Sequence, residues 1–293
     1  MIWNVGSINA DRFYHLPHLP EPGETLAARE MTEGLGGKGA NMSVAAARAG
    51  ARVMHIGAVG RDGQWAIDRL LEYGVDTQHI SMIGTPTGHA NIHVDPDGEN
   101  NIVVLPGANR AVSQAQIGSA LTEAATGDYL LLQNETNGQR FAAETARQLG
   151  LRVVYAAAPF SAVAVQRVLD CVDLLVLNAV EAAQLEAELG VALEALEVDD
   201  IVVTLGADGC KWVSCRTGQT RTFPAYKADA IDTTGAGDTF TGYLVASLDR
   251  GMDMAEAIDL GMKAGALMVA REGTADVIPD LKEILDHDFS SGA

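Results

Sequence analysis

Short apolar runs alternate with helical patterns along most of this chain, and that rhythm constrains the fold more than any other feature. The runs are 1–8 (MIWNVGSI), 51–59 (ARVMHIGAV), 128–133 (DYLLLQ), 151–156 (LRVVYA), 173–177 (DLLVL) and 200–205 (DIVVTL). Helical patterns cover 39–49, 64–73, 113–125, 139–149, 161–170, 180–189, 236–249 and 254–270. Strands that are apolar throughout, each followed by a helix, are buried on both faces and pair in parallel. The spacing therefore predicts an α/β fold of three layers, α/β/α, with a mainly parallel central sheet. In open sheets of this kind ligands bind beyond the carboxyl ends of the strands. Polar residues stand there, notably Asn134-Glu135 after DYLLLQ and Asn178 after DLLVL.

Two segments break the rhythm. Residues 12–33 hold three of the nine prolines and then a strand-like stretch, TLAAREMT. Residues 88–105 read as a hairpin, GHANIHV and ENNIVVLP about a turn at Asp95-Pro96-Asp97-Gly98. Together they predict a small β-rich lid inserted in a single domain spanning 1–293. His89, Asn91 and His93 alternate along the first arm and give it one polar face. The pair 210–214 and 220–223 reads as an ordinary surface hairpin.

Composition narrows the function. Against 20 Lys+Arg stand 39 Asp+Glu, a formal net charge of -19. Such a field repels nucleic acid and anionic membranes, and an anionic substrate needs a locally positive site. No apolar stretch reaches membrane-spanning length, and the N-terminal residues carry no signal-peptide pattern. Cys171, Cys210 and Cys215 form no framework, which points to a reducing compartment, the cytoplasm.

Two glycine-rich segments supply candidate anion sites. Residues 34–41 (GLGGKGAN) lead into a helix and carry Lys38. Gly34, Gly36 and Gly39 fit the dinucleotide spacing G-x-G-x-x-G, but the first buried strand has already passed. Gly39 follows Lys38 where a Walker A loop has Ser or Thr. Residues 232–240 (DTTGAGDTF) open another helix. Gly235, Ala236 and Gly237 can turn successive amides toward one point. Asp238 beside them is either a first-turn acid favoured by the helix dipole or a base for phosphoryl transfer to an alcohol.

The chain resembles the ribokinase (PfkB) family of carbohydrate kinases. Both family signatures are present, GGKGAN at 36–41 and DTTGAGDTF at 232–240, with GSINAD (6–11), PGET (22–25), TLGADG (204–209) and AREG (270–273) in family order. The resemblance implies a ribokinase-like fold and ATP-dependent transfer to a sugar, with ribose the first candidate. It implies that Asn9, Asp11, Gly37, Lys38, Asn41 and Glu135 bind the sugar. Asp238 would be the base, and the amides of Gly235, Ala236 and Gly237 the anion hole. Asn178, Thr204, Gly206, Gly209 and Gly237 would bind nucleotide, and Asn178 with Glu181 would organise Mg²⁺. A monovalent cation, K⁺, would sit among Asp232, Thr234, Met268, Arg271, Gly273 and Val277. The family's Asn after the fourth strand is Ala156 here, and the 190–200 stretch is short by one helix.

Other readings remain at this level: a nucleoside kinase or a sugar-phosphate kinase on the same scaffold, or a sugar- or nucleotide-sensing protein without turnover. Apolar lid residues such as Ile92, Val94 and Val103 suggest a homodimer through the lid.

Overall fold

The computed structural model describes residues 1–289. The chain opens with β1 (Ile2–Val5), then β2 (Asn9–His15), β3 (Glu30–Gly36), α1 (Lys38–Arg48), β4 (Val53–Gly60) and α2 (Gln64–Glu72). Next come β5 (Ile80–Ile83), β6 (Gly88–Val94), β7 (Asn100–Leu105), α3 (Gln114–Leu121), β8 (Tyr129–Leu132) and α4 (Gln139–Leu149). The remainder is β9 (Arg152–Ala156), α5 (Ala162–Val168), β10 (Leu174–Asn178), α6 (Ala179–Leu189), β11 (Asp200–Thr204), β12 (Cys210–Ser214), β13 (Gln219–Phe223), α7 (Ala236–Asp249), α8 (Met254–Met268) and α9 (Leu281–Asp286).

Nine strands form the large sheet, in the order β13-β12-β11-β10-β9-β8-β1-β4-β5. All neighbours from β11 to β5 run parallel, and β12 and β13 add an antiparallel hairpin at one edge. Side chains alternate between the faces, as the two-residue period of a strand requires. Ile2 and Val53 pack with α1, α7 and α8, whereas Trp3, Val5, Met54 and Ile56 pack with α3–α6. Trp3, Tyr155 and Tyr243 are entirely buried, and each stabilises the fold by roughly 2–3 kcal/mol. This is the three-layer arrangement the alternation predicts.

Local signals place the helix starts. Asn178 with Glu181, and Asp253 with Glu256, form reciprocal capping boxes at α6 and α8. Ser113 and Ser161 cap α3 and α5. Between α6 and β11 there is only a short turn of 3₁₀ helix at Leu193–Ala195, where the sequence is one helix short.

A second sheet, β3-β2-β6-β7, holds both irregular segments. Its arms β3 and β7 are antiparallel to their neighbours, while β2 and β6 run parallel. Three expectations shift here. The run 1–8 is not one strand: the chain leaves the large sheet after Val5 and enters the small one at Asn9. The strand expected in TLAAREMT starts at Glu30 and continues through the glycines to Gly36. Ile92 is buried within the small sheet, whose exposed apolar residues are Met31 of β3 and Ile102, Val103, Val104 and Leu105 of β7.

Glycines at the end of β3 and the start of α1 permit contacts that no other residue allows. A Cβ on Gly36 would stand 1.8 Å from Asp11 Oδ2, so only glycine lets the Asp11 carboxyl lie across that strand. A Cβ on Gly39 would stand 2.3 Å from Ser7 N and 2.4 Å from Gly6 Cα. The β1–β2 crossing and the start of α1 are thus in backbone contact.

Candidate active site

The carboxyl ends of β1, β8, β10 and β11 and the N-termini of α1 and α7 converge at one place. Asp238, in the first turn of α7, is buried. Its Oδ2 accepts a hydrogen bond from Asn41 Nδ2 at 3.0 Å, and its Oδ1 lies 3.9 Å from Lys38 Nζ. The cap of α7 is Gly235, in the left-handed conformation, and no side chain caps the helix. Asp238 therefore does not act as a capping residue. Burial pushes its carboxyl above the usual carboxylate range, against the opposing pull of Lys38 and Asn41. The nearby carboxylates Asp238 and Glu135 in turn raise the Lys38 ammonium, so that it stays charged.

On one side of Asp238 lie the residues expected to bind sugar. Glu135 Oε2 accepts from Ser7 Oγ and from the Lys38 amide at 2.9 Å, and Ser7 Oγ accepts from Gly39 N at 3.1 Å. Asn9 Oδ1 accepts from Asn109 Nδ2 at 2.8 Å, and Asn109 also accepts from Ile8 N at 2.9 Å. That leaves the Asn9 amide group as the end available to a ligand. Asp11 is pushed up to about 7, first by burial and then by the fields of Glu135 and Asp238. Gly37 forms the N-cap of α1. The structure thus brings Asn9, Asp11, Gly37, Lys38, Asn41, Glu135 and Asp238 to one side of the α7 N-terminus.

On the other side is a cavity of about 990 Å³ lined by Asn178, Thr204, Gly206, Gly209, Ala236 and Gly237. Tyr226, Lys227, Phe240 and Met262 complete much of its wall. The first amides of α7 open onto the boundary between the two halves. Helix N-termini leave such amides without intrahelical partners, and this makes them anion sites. The cavity holds the expected nucleotide residues and has the size of a mononucleotide site.

The supposed Mg²⁺ pair looks different in three dimensions. Asn178 Oδ1 accepts from Glu181 N, and Glu181 Oε2 accepts from Asn178 N, both at 2.8 Å. Asn178 is thus occupied as a cap. Glu181 is half-buried and raised by desolvation, with Lys38 and Asp238 in its field. No group of three or more His, Cys, Asp or Glu side chains that could hold a metal occurs among the described residues. That donor set fits Mg²⁺ carried in on phosphate oxygens and water, with one carboxylate from the protein, which is how this ion is ordinarily held.

Asp232 ties together the segments expected to hold a monovalent cation. Its Oδ1 accepts from Thr234 N at 2.8 Å and its Oδ2 from Gly273 N at 3.4 Å. Met268 O accepts from Arg271 N at 3.1 Å. Val277 O already accepts from the Arg271 guanidinium at 3.0 Å.

A family model for "pfkB family carbohydrate kinase" matches residues 1–281. The chain belongs to the pfkB family of carbohydrate kinases. Among relatives of this pfkB kinase, a ribokinase of Haemophilus influenzae is 37% identical over 297 residues, covering 96% of each chain. A ribokinase structure from Thermotoga maritima superposes with a TM-score of 0.86 at 31% identity, over 97% of each chain. A ribokinase from Arabidopsis thaliana, complexed with ribose and ATP, does so with 0.84 at 26% identity, also over 97% of each chain. The protein is accordingly an ATP-dependent carbohydrate kinase of ribokinase-like fold. No helix among the described residues is long and apolar enough to cross a membrane.

Sequence reasoning missed two site residues. Ser7 lies inside GSINAD and holds Glu135 and the Gly39 amide, and its place in that motif is the signal for it. Asn109 orients Asn9, and the signal for it is weak: a lone asparagine in the loop after β7.

Proposed function

We propose that this kinase transfers the γ-phosphoryl group of ATP to a hydroxyl of a neutral sugar, ribose first, with Asp238 as general base. The observation that carries this is the position of Asp238, buried at the boundary between a polar acceptor pocket and a nucleotide-sized cavity. A sugar hydroxyl in the acceptor half lies against the Asp238 carboxylate, while Asn9, Asp11 and Glu135 accept or donate to its other hydroxyls. The amides of Gly235, Ala236 and Gly237 receive the charge that develops on the transferred group. Lys38 balances part of the charge at the junction. Glu181 would hold a magnesium ion that arrives with the nucleotide, and that ion would supply charge neutralisation at the phosphates. The small sheet covers the acceptor half and, on closing, keeps water from competing with the sugar. The direct test is ADP release with ribose. No stimulation by any pentose, hexose or nucleoside would leave a sensing protein as the better reading.

Asp11 gives the site a pH signature. Its carboxyl is raised to about 7, so both its oxygens accept hydroxyl hydrogen bonds above that pH, and below it one of them becomes a donor. KM for ribose is expected to rise as pH falls from 8 to 6, with KM for ATP changing less. An Asp11→Asn variant should flatten the profile. The same shift acts on stability. The folded state binds the proton more tightly than the unfolded state, so this contribution favours folding below pH 4 and is lost as pH rises through 7. A ribose KM independent of pH would exclude Asp11 as a hydroxyl acceptor.

K⁺ is the proposed activating ion, held by oxygens of Asp232, Thr234, Met268, Arg271 and Gly273. The support is that Asp232 joins the loop before α7 to the segment after α8. Val277 is the weakest member of the set, because a guanidinium occupies its carbonyl. Activity in K⁺ is expected to exceed that in Na⁺ severalfold. Equal rates in K⁺, Na⁺ and an organic cation would remove the site.

A homodimer through the small sheet is also proposed. Strand β7 lies at its edge with Ile102, Val103 and Val104 more than half exposed, at 53%, 56% and 54%. An apolar edge of this kind invites pairing with a second copy. Light scattering after size exclusion should give twice the chain mass; a monomer at micromolar concentration would end the idea. The three cysteines are unpaired, which supports work in a reducing compartment such as the cytoplasm.

A further inference from the structure

We propose that His55 is a positioning residue for the acceptor half of the site, holding the Gly6–Ser7 crossing against the start of α1 through a directed chain of buried hydrogen bonds. This inference rests on the reading of that half as the sugar site.

His55 stands in the middle of β4, beside Asn4 of β1, and both point toward α1. Asn4, Ser43, His55 and Gln133 are all 0% exposed. Their neighbours on this face, Ile2, Val53 and Leu131, belong to the apolar core. Four polar side chains in such a place are costly unless they satisfy one another.

The donors and acceptors can be assigned from one end. A carbonyl only accepts, so the 3.1 Å contact of His55 Nε2 with Gly6 O requires the hydrogen on Nε2. Nδ1 then has a lone pair and accepts from Ser43 Oγ at 2.9 Å. Ser43 Oγ in turn accepts from Asn4 Nδ2 at 2.7 Å, and the second hydrogen on Asn4 Nδ2 goes to Gly39 O at 2.8 Å. Asn4 Oδ1 accepts from Gln133 Nε2 at 2.8 Å. Burial pushes the imidazole down to about 4, so the ring stays neutral and the chain keeps one direction.

The two ends of this chain are the two backbone segments in closest contact beneath the sugar residues. Gly6 O is held by His55 and Gly39 O by Asn4. A Cβ on Gly6 would meet Gly39 Cα at 2.7 Å. Ser7 and Lys38, next in sequence to these glycines, both donate to Glu135 Oε2. Gln133, which donates to Asn4 Oδ1, lies two residues before Glu135. The network thus lies beneath both donors to the Glu135 carboxylate and beneath the strand end that carries Glu135. None of its members lines the nucleotide cavity.

His55→Phe fills a similar volume and leaves Gly6 O without its donor and the Ser43 hydroxyl hydrogen without an acceptor. Leaving a buried acceptor unpaired is expected to raise KM for ribose about tenfold, with KM for ATP within about twofold. His55→Gln, whose amide nitrogen stands near the place of Nε2, should recover most of the loss. His55→Asn, which reaches only the Nδ1 position, should not. The Gln and Asn pair decides the matter if the Phe variant does not fold. A lowered Tm with both KM values unchanged would overturn the proposal, as would an equal rise in both. Long-range ¹H–¹⁵N spectra of the wild-type protein give a readout independent of turnover. The Nε2–H tautomer with no titration between pH 8 and 5.5 is expected; the other tautomer, or a titration in that range, would refute the assignment. If ribose is not turned over, the variants are read with whichever acceptor the wild type phosphorylates. Absence of all turnover would count against the sugar-site reading, and so against this role, while leaving the tautomer result standing.

Discussion

Asp238→Asn is expected to lower kcat by roughly 10²–10⁴-fold, the contribution of a positioned general base, while the protein stays folded and binds ATP. The amide is nearly isosteric and can still accept from Asn41, so the packing around the start of α7 survives. It cannot take the hydroxyl proton. Nor does the substitution remove a helix cap, because α7 starts at Gly235 with no side-chain cap. The carboxyl is pushed upward by burial while Lys38 pulls it the other way. That balance suits a base, which must be ionised at neutral pH yet have appreciable proton affinity. Steady-state ADP production and a thermal melt of the same preparation decide between the roles. Near wild-type kcat would rule out the base, and a large drop in Tm with kcat intact would make Asp238 a structural group.

The second large effect concerns acceptors that already carry a phosphate. Relative to ribose, fructose 6-phosphate and tagatose 6-phosphate are expected to show kcat/KM values lower by about 100-fold or more. The acceptor half concentrates Asp11, Glu135 and Asp238, and their mutual repulsion is what helps lift Asp11 to about 7. Lys38 is already paired with Asp238. Arg12 is bonded to Glu33, and Arg110 donates to the backbone carbonyls of Thr136 and Asn134. A phosphate 6 Å from one carboxylate would be repelled by about 3 kcal/mol at an effective dielectric of about 20. That single contact already accounts for a factor of about 100. Neutral hydroxyls face no such barrier and find fixed acceptors. The measurement is kcat/KM across ribose, both sugar phosphates, adenosine and cytidine. A preference for either sugar phosphate would overturn the electrostatic reasoning, whereas a preference for a nucleoside would spare it and displace ribose.

Much of this was legible without coordinates, for a physical reason. Strand and helix periods are local, so the six apolar runs and the helices between them specify a parallel sheet with two covered faces. The two glycine signatures are also local: glycine is required where backbone approaches backbone or ligand, and Gly36 and Gly39 meet that requirement in the fold. Contacts between distant segments were not legible. The glycines at 34–36 continue a strand because β2 lies beside them, a pairing no periodicity reveals. Ile92 and Val103 look equally apolar in sequence, yet one is buried and the other lies on an edge. Asn178 and Glu181 suit a metal by residue type, but helix geometry sets them to cap one another. Local patterns along the chain are enough to specify the layers, the two loops and the chemistry their residues can perform. Only the tertiary structure decided that Ser7, Asn109 and His55 hold those residues in place, because hydrogen bonds reaching across some 30–130 positions leave no pattern along the chain.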